Sequence, residues 1–379
     1  MLPLNSSADG SNATSNTTDF YVLVTGANSG LGLSIAKRLV TDFLAQYTTE
    51  TITVIFTTRS SRKSMDTLDI LVKHLATFPP AANLRVRFST FQVDLTSLPS
   101  VVKLAEHLNN SIPHLNAAIF NAGMGAFTGI DWPNAFLSLA KNWVHAVTHP
   151  SYKFQAVGVT CHDGELGEVF CANVFGHYYL AHELMPLLHP AKGRVIWVSS
   201  LEAYPWSFNV TDLDGKKATH SYESSKRLTD VMALTSANQA TTPWTDTFFG
   251  GKRGEVKTYV CHPGICATSM VALPLVLWYC MTLAFYIARW IGSPWHTIST
   301  ETGAMSMCYL ALAREEELNE RDAEKLKWGS GSDRAGNGVL RPTEVEGEGG
   351  EEWEQLGRET WRQLEELRVQ WKEKLQKTA

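Results

Sequence analysis

The chain has 379 residues, 44% of them hydrophobic and 19% charged, with a formal net charge of -5. That length holds one large domain with extensions, or two domains, and that composition buries a sizeable core. The acidic balance, with no lysine- or arginine-rich run, argues against a nucleic-acid partner.

Residues 1–19, MLPLNSSADGSNATSNTTD, lack both a basic start and an apolar core, which predicts a disordered leader rather than a signal peptide. Without secretion, Cys161, Cys171, Cys261, Cys266, Cys280 and Cys308 read as reduced thiols in a reducing compartment. Their spacing gives no ligand set, so no metal is expected. From Phe20 onward, strand-like runs alternate with helical patterns. YVLVT (21–25), TITVIFTT (51–58), RVRFSTFQVD (85–94), NAAIFN (116–121), RVIWVSS (194–200) and VKTYVCHP (256–263) are the strands. SVVKLAEHLNN (100–110) and GEVFCANVFGHYYLAHELMPLL (167–188) are amphipathic helical stretches between them. This alternation predicts an α/β fold over 20–330, with a parallel sheet covered on both faces.

The glycine-rich turn VTGANSGLG follows the first strand and opens a helix, with Gly26, Gly30 and Gly32 where a backbone without Cβ atoms can approach a pyrophosphate. An acid at the end of the second strand would hold a ribose 2′-hydroxyl; the chain instead reads TTRSSRKS, with Thr58, Arg59, Arg62 and Lys63. A 2′-phosphate is better held there than repelled, so NADP(H) is favoured over NAD(H). Asp94 after the third strand is a candidate acceptor for the adenine amino group. Asn121, Ala122 and Gly123 close the fourth strand, where small residues leave room for the cofactor.

A tryptophan-containing segment at 127–166 exceeds what a minimal nucleotide-binding domain needs. RVIWVSS ends at Ser200, and Tyr222 and Lys226 follow in SYESSKRLTD, one helical turn apart on one face. A free tyrosine has a pKa of roughly 10; a nearby ammonium favours the phenolate and is expected to bring it toward the working range. Ser200 is placed to hydrogen-bond a substrate carbonyl, and Asn173 to anchor a water between the lysine and solvent.

The motifs TGxxxGxG, D, NAG, N, S, YxxxK and PG, in order from residue 25 to 268, resemble the short-chain dehydrogenase/reductase family. The resemblance implies a Rossmann-type doubly wound sheet in a single domain, with Tyr222 as proton donor and Lys226 binding ribose and lowering the tyrosine pKa. It assigns carbonyl binding to Ser200 and the proton relay to Asn173. Ser29 and Leu31 in the glycine turn, and Pro263, Gly264, Ile265 and Thr268 in PGICATSM, would contact the cofactor. ANVFGHYYLAHELMPLL, SYESSKRLTD and HPGICATSM are similar to the sterol- and steroid-reducing members, the 3-keto-steroid reductases. That similarity implies a 3-keto sterol substrate and other sterol C4-demethylation enzymes as partners. It also implies a site at the cytosolic face of the endoplasmic reticulum membrane, or on lipid droplets. Other lipid carbonyls such as retinal, or a sterol-enzyme scaffold with a retained nucleotide site, are the alternatives.

VALPLVLWYCMTLAFYIA (271–288) is an 18-residue stretch without a charge. As a helix it would be about 27 Å long, just short of a comfortable span. An apolar lid, a monotopic membrane insertion and a true span all remain open, and Trp132, Trp143, Trp206 and Trp244 read equally as interfacial anchors or core. Residues 331–351 read as a Gly/Glu-rich linker. A charged helix follows over 352–377, with Trp353, Leu356, Leu364, Leu367 and Trp371 at helical spacing. It reads as a solvated helix docked weakly on the domain, with a partner-binding helix as the other possibility.

Overall fold

The computed structural model describes residues 19–267 and 274–378. Its centre is an eight-stranded sheet of β1 (Asp19–Val24), β2 (Thr51–Thr58), β3 (Val86–Gln92), β4 (Ala117–Phe120), β5 (Arg194–Val198), β6 (Lys257–His262), β7 (Lys327–Ser332) and β8 (Gly338–Thr343). The spatial order is β8-β7-β6-β5-β4-β1-β2-β3. Every neighbouring pair is parallel except β7 with β8. Strand order reverses between β1 and β4, and that switch opens a crevice at the carboxyl ends of the strands.

Both faces are covered, as the near-continuous apolar strands require. Successive side chains of β1 point to opposite sides. Val22 and Val24 pack under α1 (Gly30–Gln46), α2 (Ser61–Leu75) and α7 (Met305–Leu312). Leu23 points into a second core built by α3 (Leu98–Ser111), the helical run around Tyr178, α5 (Ser221–Leu234) and α8 (Gly350–Thr378). Two further helices, α4 (Trp132–Thr148) in the insertion and α6 (Leu275–Trp290), pack on each other through Val147, Phe285 and Ala288, with Trp143 alongside.

The C-terminal part departs from the sequence reading. Residues 331–351, expected to be a linker, contain the end of β7 and all of β8. Strand β7 reads KWGSGS, polar and glycine-rich, yet is buried along its whole length. Its glycine is a packing requirement: a Cβ on Gly329 would lie 2.5 Å from the His262 ring and 2.6 Å from that of Trp295. Helix α8 is not weakly docked either. Trp353, Trp361, Leu364 and Trp371 are buried. Trp361 lies 5.7 Å from the Tyr178 ring and 5.3 Å from that of Phe248, and its Nε1 donates to Met232 O at 3.1 Å. Large aromatic surfaces at helical spacing outweigh the charged composition that suggested a solvated helix.

Among the described residues no helix is long and apolar enough to cross a membrane. The stretch 271–288 is represented by α6, 16 residues starting after Pro274, while 271–273 lie outside the described residues. Trp132 and Trp206 are exposed; Trp143 and Trp244 are half-buried against the cores.

Candidate active site

A cleft of about 490 Å³ opens at the carboxyl ends of six strands, from β1 round to β6. Gly26, Ser29, Gly30, Leu31 and Gly32 form one wall. Thr58 and Arg59, then Asp94, then Asn121, Ala122 and Gly123 continue it, and Tyr222, Lys226 and Pro263 close the far end.

The glycine turn is shaped by close backbone approach. Gly26 has φ +69°, and a Cβ there would fall 2.8 Å from that of Ala122. A Cβ on Gly32 would sit 2.3 Å from the carbonyl oxygen of Gly26. Thr25 ties this turn to the fourth strand: its hydroxyl accepts from the N–H groups of Asn121 and Ala122, both at 3.0 Å, and meets His177 Nε2 at 2.9 Å. Asn121 Nδ2 returns a bond to Thr25 O at 3.0 Å. No side chain caps the start of α1 at Ser29, so its first-turn N–H groups face the cleft as anion donors.

At the other end, Lys226 is buried and its Nζ donates to Val198 O at 2.8 Å. Burial depresses its pKa to about 8; Asp230 opposes that shift and Lys327 adds to it. The Ser200 side chain lies beside the Tyr222 phenol, and Lys226 Nζ is 5.7 Å from the ring centroid. Its pKa is raised, chiefly by burial and next by Glu202, with the Ser200 side chain opposing. The expected lowering by Lys226 is therefore overturned, because a buried phenolate loses its solvation. The phenol is held protonated, ready to donate.

Ser200 and Asn173 stand behind the cleft wall. Ser200 reaches Tyr222, and Asn173 is pinned to Met124, accepting from its N–H at 2.7 Å and donating to its carbonyl at 2.9 Å. Asn173 also donates to Ser225 Oγ at 2.9 Å, from a π-helical turn, Cys171–Phe175. Three expected contacts do not line the cleft. Lys63 sits in the first turn of α2, its N–H bonded to Ser60 Oγ, and Gly264 and Ile265 are held under the Trp295 loop. Thr268 lies outside the described residues. Sequence reasoning missed Asn28, Thr57, Thr96, Met124 and Ser199, each a neighbour of a motif residue that reaches the wall by backbone geometry. It also missed that Cys161, His162 and Cys171 converge, with donor atoms within 4.8 Å of one another. The two thiols there are bonded to the carbonyls of Leu166 and Leu95.

The short chain dehydrogenase family profile matches residues 21–273. The chain belongs to that family. It is thus an oxidoreductase whose cofactor is a nicotinamide dinucleotide, and the cradle fits one: Gly26 and Gly32 leave backbone where a Cβ would intrude, beside uncapped N–H donors. Curated relatives include the 3-keto-steroid reductase of Aspergillus fumigatus, 41% identical over 94% of each chain. Another is the 3-keto-steroid reductase of Gibberella zeae, 35% identical over 93% of this chain and 94% of that one. Among solved structures, salutaridine reductase from Papaver somniferum is 18% identical over 78% of this chain and 96% of its own, with a TM-score of 0.49.

Proposed function

We propose that this short-chain dehydrogenase reduces a 3-keto sterol to the 3β-hydroxy sterol with NADPH, in the C4-demethylation stage of sterol synthesis. The observation that carries the reading is full-length similarity to fungal 3-keto-steroid reductases, joined to Tyr222 and Lys226 at one end of the cleft with Ser200 beside Tyr222. NADPH over NADH is supported by Arg59 in the cleft wall with no acid beside it at the end of β2.

Nicotinamide, when bound, supplies the hydride for the carbonyl carbon. The chain's own residues do the remaining work. Tyr222 gives its phenolic proton to the carbonyl oxygen, and Ser200 orients that oxygen by hydrogen bonding. The Lys226 ammonium, 5.7 Å from the Tyr222 ring, stabilises the phenolate left behind. Asn173 fixes the Met124 backbone at the edge of the cleft.

A membrane-surface location, at the cytosolic face of the endoplasmic reticulum or on lipid droplets, is supported by α6. Leu275, Val276, Tyr279, Leu283, Tyr286, Ile287 and Trp290 are exposed along one side of it. Beside it, α4 exposes Trp132, Phe136 and Leu137. A patch of that extent on two packed helices suits the headgroup–acyl boundary, from which a sterol would enter. Other sterol C4-demethylation enzymes are the partners this placement suggests.

The test is NADPH oxidation by detergent-solubilised protein with a 3-keto sterol, run beside Tyr222→Phe. Wild-type turnover that collapses in the variant, with NADPH binding retained, supports the reading. Wild-type protein that binds NADPH but leaves every 3-keto sterol unreduced refutes it.

A further inference from the structure

The insertion reaches the catalytic helix. Its strands Phe127–Ile130 and Lys153–Gln155 pair antiparallel, and Ala156 N–H continues the contact by donating to Ala126 O at 2.8 Å. Helix α5 starts at Ser221, and the residue at its N-cap, His220, offers it no side-chain cap. The N–H of Tyr222 is one of the four that a helix start leaves without an intrahelical partner. Tyr222 is buried, so that donor needs an acceptor from elsewhere in the protein.

Gln155 supplies it. Its Oε1 accepts from Tyr222 N–H at 2.9 Å and from the Ser221 hydroxyl at 3.3 Å, while its Nε2 donates to the Glu223 carboxylate. One side chain thus holds the first three residues of α5. Beside it, Lys153 Nζ bonds both oxygens of Glu202 at 2.6 Å and lies 3.9 Å from Glu223. The same ammonium stands 4.7 Å from the Phe127 ring and 5.7 Å from the Tyr222 ring, and those two rings tilt together at 5.4 Å.

We propose that the insertion strand Lys153–Gln155 is the positioning element of the proton donor, with Gln155 as a helix cap supplied from a distance. This rests on the reading of Tyr222 as the acid. Glutamine suits the task because it carries an acceptor for the N–H and a donor for Glu223 in one planar group. A side-chain cap satisfies an orphan N–H and fixes the first turn of the helix it caps. Displacing a catalytic group by about 1 Å can cost on the order of 100-fold in rate. The insertion therefore links the loop that lines the cofactor cleft, Asn121–Gly125, to the residue that delivers the proton.

Two variants of the full chain test this. Gln155→Met removes both polar contacts at similar volume. Its kcat with a 3-keto sterol is expected to fall between about 10- and 100-fold, with NADPH affinity within about twofold of wild type. Hydrogen–deuterium exchange over residues 221–226, which needs no substrate, should quicken at least about tenfold as the Tyr222 N–H loses its acceptor. Gln155→Glu keeps the acceptor but sets a carboxylate against Glu223, in surroundings that also hold Glu202, Tyr204, His220, Tyr222, Lys153 and Lys226. Protonating that carboxyl restores both bonds, so its activity relative to wild type should rise as pH falls from 8 toward 6. Normal kcat and unchanged exchange in Gln155→Met overturn the proposal. So does a Gln155→Glu deficit that is equal at every pH, which decides the matter if the methionine variant does not fold. An active wild type with an active Tyr222→Phe would instead refute the assignment of the acid, leaving the exchange result to judge the cap.

Discussion

Replacing Lys327 by methionine is expected to cost about 3–5 kcal/mol of stability, the usual result of leaving one member of a buried ion pair alone. Lys327 Nζ lies 2.6 Å from Asp230 Oδ2 and 2.6 Å from the Ser200 carbonyl, and the two side chains are only 4% and 1% exposed. The other Asp230 oxygen has no hydrogen-bond partner, so the lysine is that carboxylate's main compensation. Lys226 and Arg227, on the same helix, also feel the Asp230 charge, but Lys226 donates to Val198 O and Arg227 to Glu346 O. Domains have total stabilities of roughly 5–15 kcal/mol, so the loss would be a large share of the whole. Urea unfolding of wild type, Lys327→Met and the Lys327→Met/Asp230→Leu pair measures it. The double variant removes both charges and should recover most of the loss. A single-variant cost below about 1 kcal/mol, or a double variant no more stable than the single, would refute the argument that this pair is uncompensated without its lysine.

Arg59→Asp should raise the KM for NADPH at least about tenfold while leaving that for NADH unchanged or lower, because a carboxylate repels the 2′-phosphate and can hold a 2′-hydroxyl; initial rates with both cofactors decide it. Buried His177 is held neutral, its pKa pushed down by burial to about 3, so below pH 6.5 the unfolded chain binds more protons than the folded one. Stability should therefore fall as pH drops from about 6.5 toward 3, by about 2 kcal/mol at pH 5 from this residue alone. His262 and His296, also lowered by burial, add with the same sign. Urea unfolding at pH 7 and pH 5 measures the slope, which His177→Asn should flatten. Trp361→Ala should cost about 3–5 kcal/mol, since the indole is fully buried between the Tyr178 and Phe248 rings. A shift in melting temperature too small to register would restore the picture of a loosely docked tail.

The amino-acid sequence alone determined the parts of this protein that depend on local pattern. Strand–helix alternation dictates the parallel sheet, and the turn around Gly26, Gly30 and Gly32 must be where it is, because a Cβ at Gly26 or Gly32 would strike the neighbouring backbone. Tyr222 and Lys226 share a face by helical spacing alone. What the sequence could not decide were properties set by residues far apart in the chain. Strand β7 was hidden because Gly329 answers to the His262 and Trp295 rings and Gly331 to the Pro294 and Val339 carbonyls, while Ser330 and Ser332 donate to Gly303 O and His296 O, and none of them carries an apolar signature. Helix α8 read as solvated because its charges outnumber its tryptophans, though Trp361 faces Tyr178, Met232 and Phe248 on the neighbouring helices. The pKa of Tyr222 went up where spacing predicted down, because burial by the whole fold outweighs one ammonium 5.7 Å from its ring. The acceptor for its N–H comes from Gln155, 67 positions earlier. Local geometry follows from short stretches of sequence, whereas solvation and long-range hydrogen bonds exist only once the chain has closed on itself.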